Sequence, residues 1–382
     1  MKTVRLFAVL AAVCLMTLSL APARAAEPVK IGAVLSVTGP ASFLGEPEKN
    51  TLLLLQDRIN AAGGILGRPL ELVIYDDETD VNKCVLAVDK LLKKDRVVAV
   101  IGPTVSGNTL AVMNKFPAAK VPMISCAAAE KITRPVNPWV FKTPQSDRQA
   151  VARILDHLRQ AGLSRVAILT VSDGFGQAGR AVLAEMLPAG GFTLVADEIY
   201  GPKDTDMTPQ LTKIKGLAPD AIVCWGTNPG PAVIARNRVQ LGIRTPLYMS
   251  HGVASNKFIE LAGEAAEGLL LPAGRMVAVE QIEDGNPQKD VLAAYVADYA
   301  ARFGAPPSTF GGYAHDALAL VRAAIETSGS AEPRAIRDAL EATTGFVGAT
   351  GVFNFSPEDH NGLDPSSFVM VGIENGAWKV LR

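Results

Sequence analysis

The sequence predicts an α/β protein built as two doubly wound, mostly parallel sheets joined by a hinge. Short apolar, β-branched runs alternate with helix-length segments from Pro28 onward, the mark of βαβ units. Near Pro144 the alternation restarts and runs a second time. No low-complexity linker parts the halves, which points to a chain crossing between two lobes more than once. The chain has 382 residues, 48% of them hydrophobic, and a net charge of −1. That is enough for two ordinary domains and predicts no generic attraction to nucleic acid.

In the first half, Pro28 to Leu35 reads as a strand, followed by a turn-rich loop, SVTGPASFLGE, and a helix to about Asn60. Gly63-Gly64 stops that helix. Leu70 to Tyr75 is the next strand, and Asp80 is placed to cap a helix reaching about Lys94. Val97 to Ile101 has no polar face, as suits a strand covered on both sides. Gly102-Pro103 ends it, and Ser106 stands where an N-cap would open a helix to about Lys115. Pro122 to Ser125 and Trp139 to Lys142 are the remaining strands, the former running into Cys126-Ala127-Ala128-Ala129. Ligands of open α/β sheets bind beyond the carboxyl ends of strands. Val97 to Cys126 supplies two such ends, one bearing a hydroxyl and helix N–H groups, which suit a carboxylate.

The second half repeats the pattern. Ser146–Ala161, Gln177–Leu187, Met207–Leu217 and Pro231–Leu241 are expected helices. They interleave with expected strands at Arg165–Val171, Thr193–Ile199, Asp220–Trp225, Pro246–Ser250 and Glu267–Leu271. Asn286–Phe303, Gly312–Ser328 and Pro333–Thr343 are expected as further helices, and Thr350–Phe355 and Ser367–Arg382 as short antiparallel strands.

Residues 1–25 have a different character. Lys2 and Arg5 precede a mostly apolar run from Leu6 to Leu20, and Ala23-Arg24-Ala25 fits a small-x-small cleavage site before Ala26. This is expected to be a secretory signal peptide rather than a spanning helix, with a periplasmic destination. Val13 before Cys14 is too large for a lipidation site. Cys84, Cys126 and Cys224 remain, so at most one disulfide forms; small buried hydrophobes are their expected role.

Other readings of the motifs are weaker. Gly174-Phe175-Gly176-Gln177-Ala178-Gly179 is literally G-x-G-x-x-G, with Asp197 about twenty residues on. Ser172-Asp173 separates the strand from the first glycine, against a dinucleotide site; a loop letting Asp173 and Phe175 lean into a cleft is expected instead. The four histidines lack HxxxH or HExxH spacing, so no metal site is expected. His251, at a strand end beside Gly252, is expected to contact a ligand; His315 is expected to pack on a helix and His157 to lie on the surface. Ser106 is not in a G-x-S-x-G elbow, which argues against a hydrolase. Asn228 either faces the cleft or caps a helix, and Phe43, Phe175, Trp225 and Phe310 are candidate apolar walls.

The stretches IGAVLSVTGPASFLGE, DRINAAGGILGRPLELVIYDDETD, VVAVIGPTVSGNTLAV and VPMISCAAAEKIT, with FGGYAHDALALVRAAIETSG near the end, closely resemble the type I periplasmic binding proteins. Within these they resemble the branched-chain amino-acid-binding family of ABC transporters. The resemblance covers essentially the whole chain after the signal peptide. It implies two α/β lobes joined by three crossing segments, one from residues 26–144 plus 275–351 and the other from 145–274 plus 352–382. It further implies a protein that closes on a small ligand and then meets a membrane permease, without catalysis or cofactor; since no heptad or exposed apolar stripe stands out, a monomer is expected.

Position by position, the resemblance makes Ser106 the carboxylate-binding serine and Ala127 a backbone contact. Phe175 matches the cleft aromatic, and Asn228 lies near a position often held by tyrosine. Two positions depart. Ala129 stands where amino-acid binders have a threonine, and His251 where they place an acid against the ligand ammonium. The expected ligand is therefore a carboxylate without an α-amine, an aromatic or short aliphatic acid. A branched-chain amino acid is the alternative. An extracellular sensor module or an NAD-dependent enzyme are more remote ones.

Overall fold

A computed structural model of the protein describes residues 27–381; the expected signal peptide lies outside the described residues. Two sheets form the frame. The first contains β1 (Val29–Leu35), β2 (Leu70–Asp76), β3 (Ala99–Ile101), β4 (Met123–Ser125) and β5 (Val140–Lys142). Its strands are parallel in the order β2-β1-β3-β4-β5. This order reverses direction between β1 and β3, which opens a crevice at their carboxyl ends. One face is covered by the helices Ser42–Ala61 and Thr309–Ser328, whose Leu52, Ala317 and Val321 pack on Ile31, Ala33 and Leu35. Cys84, Val88, Leu91 and Phe116 cover the other face. The helix Val81–Lys90 starts where expected, with the Asp80 carboxylate accepting from Lys83 N–H.

The second sheet contains β6 (Arg165–Val171), β7 (Thr193–Tyr200), β8 (Ala221–Trp225), β9 (Leu247–Met249) and β10 (Leu270–Ala273). The hairpin β11 (Phe346–Val347) and β12 (Val352–Phe353) stands apart, and β13 (Val369–Glu374) and β14 (Ala377–Val380) then complete the second sheet. Its order is β14-β13-β10-β9-β8-β6-β7, antiparallel only at the β13 and β14 edge, and its direction reverses at β6 and β8. The helix Asp147–Gln160 is opened by a full capping box between Ser146 and Gln149. With the helix Gly174–Ala189 it covers one face of the sheet.

The chain passes between the two cores at residues 143–146, at Gly274 and at residues 364–367. The third passage lies later than the sequence suggests. Phe353, Phe355 and Leu363 pack in the first core, and only Phe368 joins the second. Alternating polarity cannot show which of two sheets a short tail strand serves. Gln145 ties the passages together: its fully buried amide donates to Thr350 O at 3.0 Å and Ser367 O at 3.2 Å, and Gly274 abuts it.

Candidate ligand-binding site

The two switch points face one another, and a cavity of about 410 Å³ lies between them. From the first lobe it takes Thr104 to Asn108 after β3 and Cys126 to Ala128 after β4. The second lobe contributes Asp173 to Phe175 after β6, Thr227 to Gly230 after β8, and His251-Gly252 after β9. Pro40, Ala41, Leu44, Phe310 and Tyr313 form an apolar side wall. That volume suits a ligand of amino-acid or small aromatic-acid size.

Ser106 opens the helix Ser106–Val112, but it is not the cap. Val105 holds the extended cap position, and Ser106 is the first helical residue. Its hydroxyl oxygen accepts from Ala129 N–H at 3.3 Å, which leaves its proton free to be donated into the cavity. Ala127 N–H is already given to Ser125 Oγ at 3.0 Å, so its carbonyl is the group left for a ligand. Ala129 is fully buried and does not line the cavity; it acts by positioning Ser106. Behind this corner the buried Lys142 donates from Nζ to Ala128 O at 2.6 Å. Burial lowers the pKa of Lys142 and raises that of its neighbour Asp147. Lys142 and Asp147 thus form a buried acid–base pair that braces the wall from behind through Ala128 O and Glu130 N–H.

On the facing lobe, His251 is 2% exposed and caged by Phe175, Trp225 and Phe368, with ring centroids 5.4, 5.7 and 5.3 Å away. Burial, and secondarily the Lys142 charge, pull it down to about 3, so it is neutral at physiological pH. Among the described residues neither ring nitrogen has a partner, nor does either amide atom of Asn228. Asn228 lines the cavity and caps nothing, because Pro229 holds the cap of the next helix. Of the four aromatics proposed as walls, Phe175 and Phe310 line the cavity. Trp225 supports Phe175 and His251 from behind, and Phe43 packs edge-on against Phe310.

The glycine motif belongs to a helix rather than to a loop. Asp173 caps it, accepting from Phe175 N–H at 3.0 Å and Gly176 N–H at 2.8 Å, which draws the helix start forward to Gly174. Those N–H groups are thus already taken by a carboxylate where a dinucleotide would need its pyrophosphate. The glycines serve packing. A Cβ on Gly174 would meet Gly107 Cα at 2.9 Å across the cleft, one on Gly176 Val171 O at 1.8 Å, and one on Gly179 Trp225 Nε1 at 2.1 Å.

The remaining expectations resolve simply. Cys84, Cys126 and Cys224 are all free and buried, and burial raises each thiol. His157 is half-buried rather than on the surface, because its Nδ1 meets Tyr248 OH at 2.9 Å. His315 packs against Tyr295 with ring centroids 4.8 Å apart. Sequence reasoning missed Lys142 and Glu48. Both had a signal: Lys142 ends an apolar strand, and Glu48 falls on the same helix stripe as Leu44, Leu52 and Ile59.

Two lobes, two facing switch points and a cavity between them with unpaired polar groups define a cleft-closing binding protein. The chain matches the periplasmic binding protein family over residues 28–377, and it belongs to that family. A Leu/Ile/Val-binding protein of Rhizobium johnstonii is 28% identical over 342 residues, covering 88% of this chain and 90% of the relative. A leucine-, isoleucine-, valine-, threonine- and alanine-binding protein of Pseudomonas aeruginosa is 27% identical, covering 92% and 91%. An extracellular ligand-binding receptor of Rhodopseudomonas palustris superposes with a TM-score of 0.87 at 29% identity, covering 93% and 99%. The branched-chain amino acid transporter substrate-binding protein of Streptococcus pneumoniae, solved with isoleucine, gives 0.82 at 27%, again covering 93% and 99%. The relatives named for their function are binding proteins, one of them of a transporter, and none is named as an enzyme.

Proposed function

We propose that the chain is the monomeric, periplasmic substrate-binding component of an ABC importer. It captures a small carboxylate lacking an α-amine and presents the closed form to a membrane permease. The observation that carries the ligand class is His251: neutral, caged by aromatics and unpaired, where an acid would be needed to hold an ammonium. Burying an ammonium without an acceptor costs several kcal/mol. Ser106 keeps the hydroxyl that reads a carboxylate. A ligand that bridges Ser106 and Ala127 to Phe175, Asn228 and His251 favours closure by its differential affinity for the closed form.

A second reading, an aliphatic amino acid, is supported by the names of the relatives. Titration calorimetry with leucine, α-ketoisocaproate and isocaproate separates the two, because the three share one side chain. One of the acids without an amine is expected to bind at least about tenfold more tightly than leucine, a difference of about 1.4 kcal/mol. Ser106→Ala is expected to weaken that ligand by about 1.5–3 kcal/mol, the range for a hydrogen bond to a charged group. Leucine as the tightest of the three would replace the first reading with the second.

A further inference from the structure

Glu48 sits on the helix Ser42–Ala61, 1% exposed, yet it lines the cavity beside Leu44, Phe310 and Tyr313. Its Oε2 accepts from the Thr104 hydroxyl. That hydroxyl in turn accepts Ser36 N–H at 3.0 Å, so its single proton is committed to Glu48. Oε1 has no protein partner among the described residues and is not sealed away from the cavity. The ionisable groups that face Glu48 are Asp77, Cys126 and Tyr313, none of them a cation. A buried carboxylate with one hydrogen bond and an acid as neighbour is costly, and such a group takes up a proton instead. Burial raises Glu48 well above the usual carboxylate range. Thr104 already donates to Oε2, so the acid proton belongs on Oε1.

We propose that Glu48 is a specificity-determining contact that donates a hydrogen bond from Oε1 to an uncharged oxygen of the ligand. The favoured ligands are then oxo- or hydroxy-substituted carboxylic acids. This rests on reading the cavity as a carboxylate site with no ammonium partner. It adds a second polar side chain, on the first lobe, to Ser106.

The test measures binding of matched acids with and without the extra oxygen: α-ketoisocaproate against isocaproate, phenylpyruvate against hydrocinnamate, and para-hydroxybenzoate against benzoate. Each is titrated into wild type, Glu48→Gln and Glu48→Met. In at least one pair the oxygen-bearing acid is expected to bind about tenfold more tightly to wild type. Glu48→Gln keeps a donor and retains most of that preference; Glu48→Met abolishes it. Equal binding within every pair by wild type overturns the proposal without any variant being needed. Binding without preference that still depends on Ser106 would leave the carboxylate reading standing and remove only Glu48. Leucine binding that is tighter than all six acids and lost in Glu48→Gln would overturn both, and would make Glu48 an ionised partner of an ammonium.

Discussion

Replacing Gly174 with valine is expected to weaken ligand binding by at least about tenfold while both lobes stay folded. In the closed arrangement, a Cβ at position 174 would lie 2.9 Å from Gly107 Cα and 3.0 Å from Gly107 N. These are backbone atoms of the opposite lobe, and they yield only if the lobes part. The variant therefore penalises the closed state and spares the open one, and ligand affinity falls by the shift in that equilibrium. Each lobe tolerates the change, since all three nearest atoms belong to Ser106 and Gly107. The control is Gly216→Ala, whose added Cβ has no atom within 4 Å and lies away from the cavity, and which is expected to bind normally. Calorimetry supplies the affinities, and small-angle scattering shows whether the ligand still compacts the protein. An unchanged dissociation constant for Gly174→Val would mean that tight apposition of these two helix starts is not part of the bound state.

Asp316→Ala is expected to cost about 2–4 kcal/mol of stability, because it leaves buried amides unpaired at about 1–3 kcal/mol each. Asp316 is fully buried in the helix Thr309–Ser328. Its two oxygens accept from Ala349 N–H and Thr350 N–H, both at 2.7 Å, and Oδ1 also lies 2.9 Å from His315 Nδ1. Alanine leaves two buried amides unpaired at the loop whose Thr350 carbonyl holds Gln145. Asp316→Asn retains one acceptor oxygen, so its stability should fall between alanine and wild type. Urea unfolding of the three proteins measures the series, and a loss below about 1 kcal/mol for alanine would sink the assignment.

The alternation of strands and helices was legible because inner strands such as β3 and β8 are apolar on both faces and helices such as Val81–Lys90 and Asp147–Gln160 have a recognisable start. Asp80 and Ser146 are caps that sequence alone locates. Ser106, Ala127, Phe175, Asn228 and His251 were legible as strand-end residues, and the fold gathers all five around one cavity. Ala129 was not, because whether a residue faces a ligand or supports the one that does depends on a single hydrogen bond. Glu48 and Lys142 were overlooked for the opposite reason. Periodicity marks them as inward-facing but does not say that the space they face is a cavity wall rather than packed core. The glycine motif was set aside as a dinucleotide site but read as a loop; spacing did not show that it opens a helix whose close approaches are to protein backbone and to Trp225.

The late third passage bears on the order of assembly. The parallel strands of the second lobe lie in one unbroken stretch, from Arg165 to Ala273. The first lobe is assembled from distant pieces: β1 to β5 end at Lys142, but the helix that covers one of their faces ends at Ser328, and Phe353, Phe355 and Leu363 close the core. A chain emerging amino terminus first therefore holds its earliest strands only partly covered, with the helix Ser42–Ala61 on Ile31, Ala33 and Leu35 but without Ala317, Val321 and Phe353, until nearly all of it has been delivered. The lobe that begins second has its parallel strands together early, and only its β13 and β14 edge arrives last. The lobe that begins first depends on helpers or on speed, because its bare strand edges invite pairing with other chains in the interval.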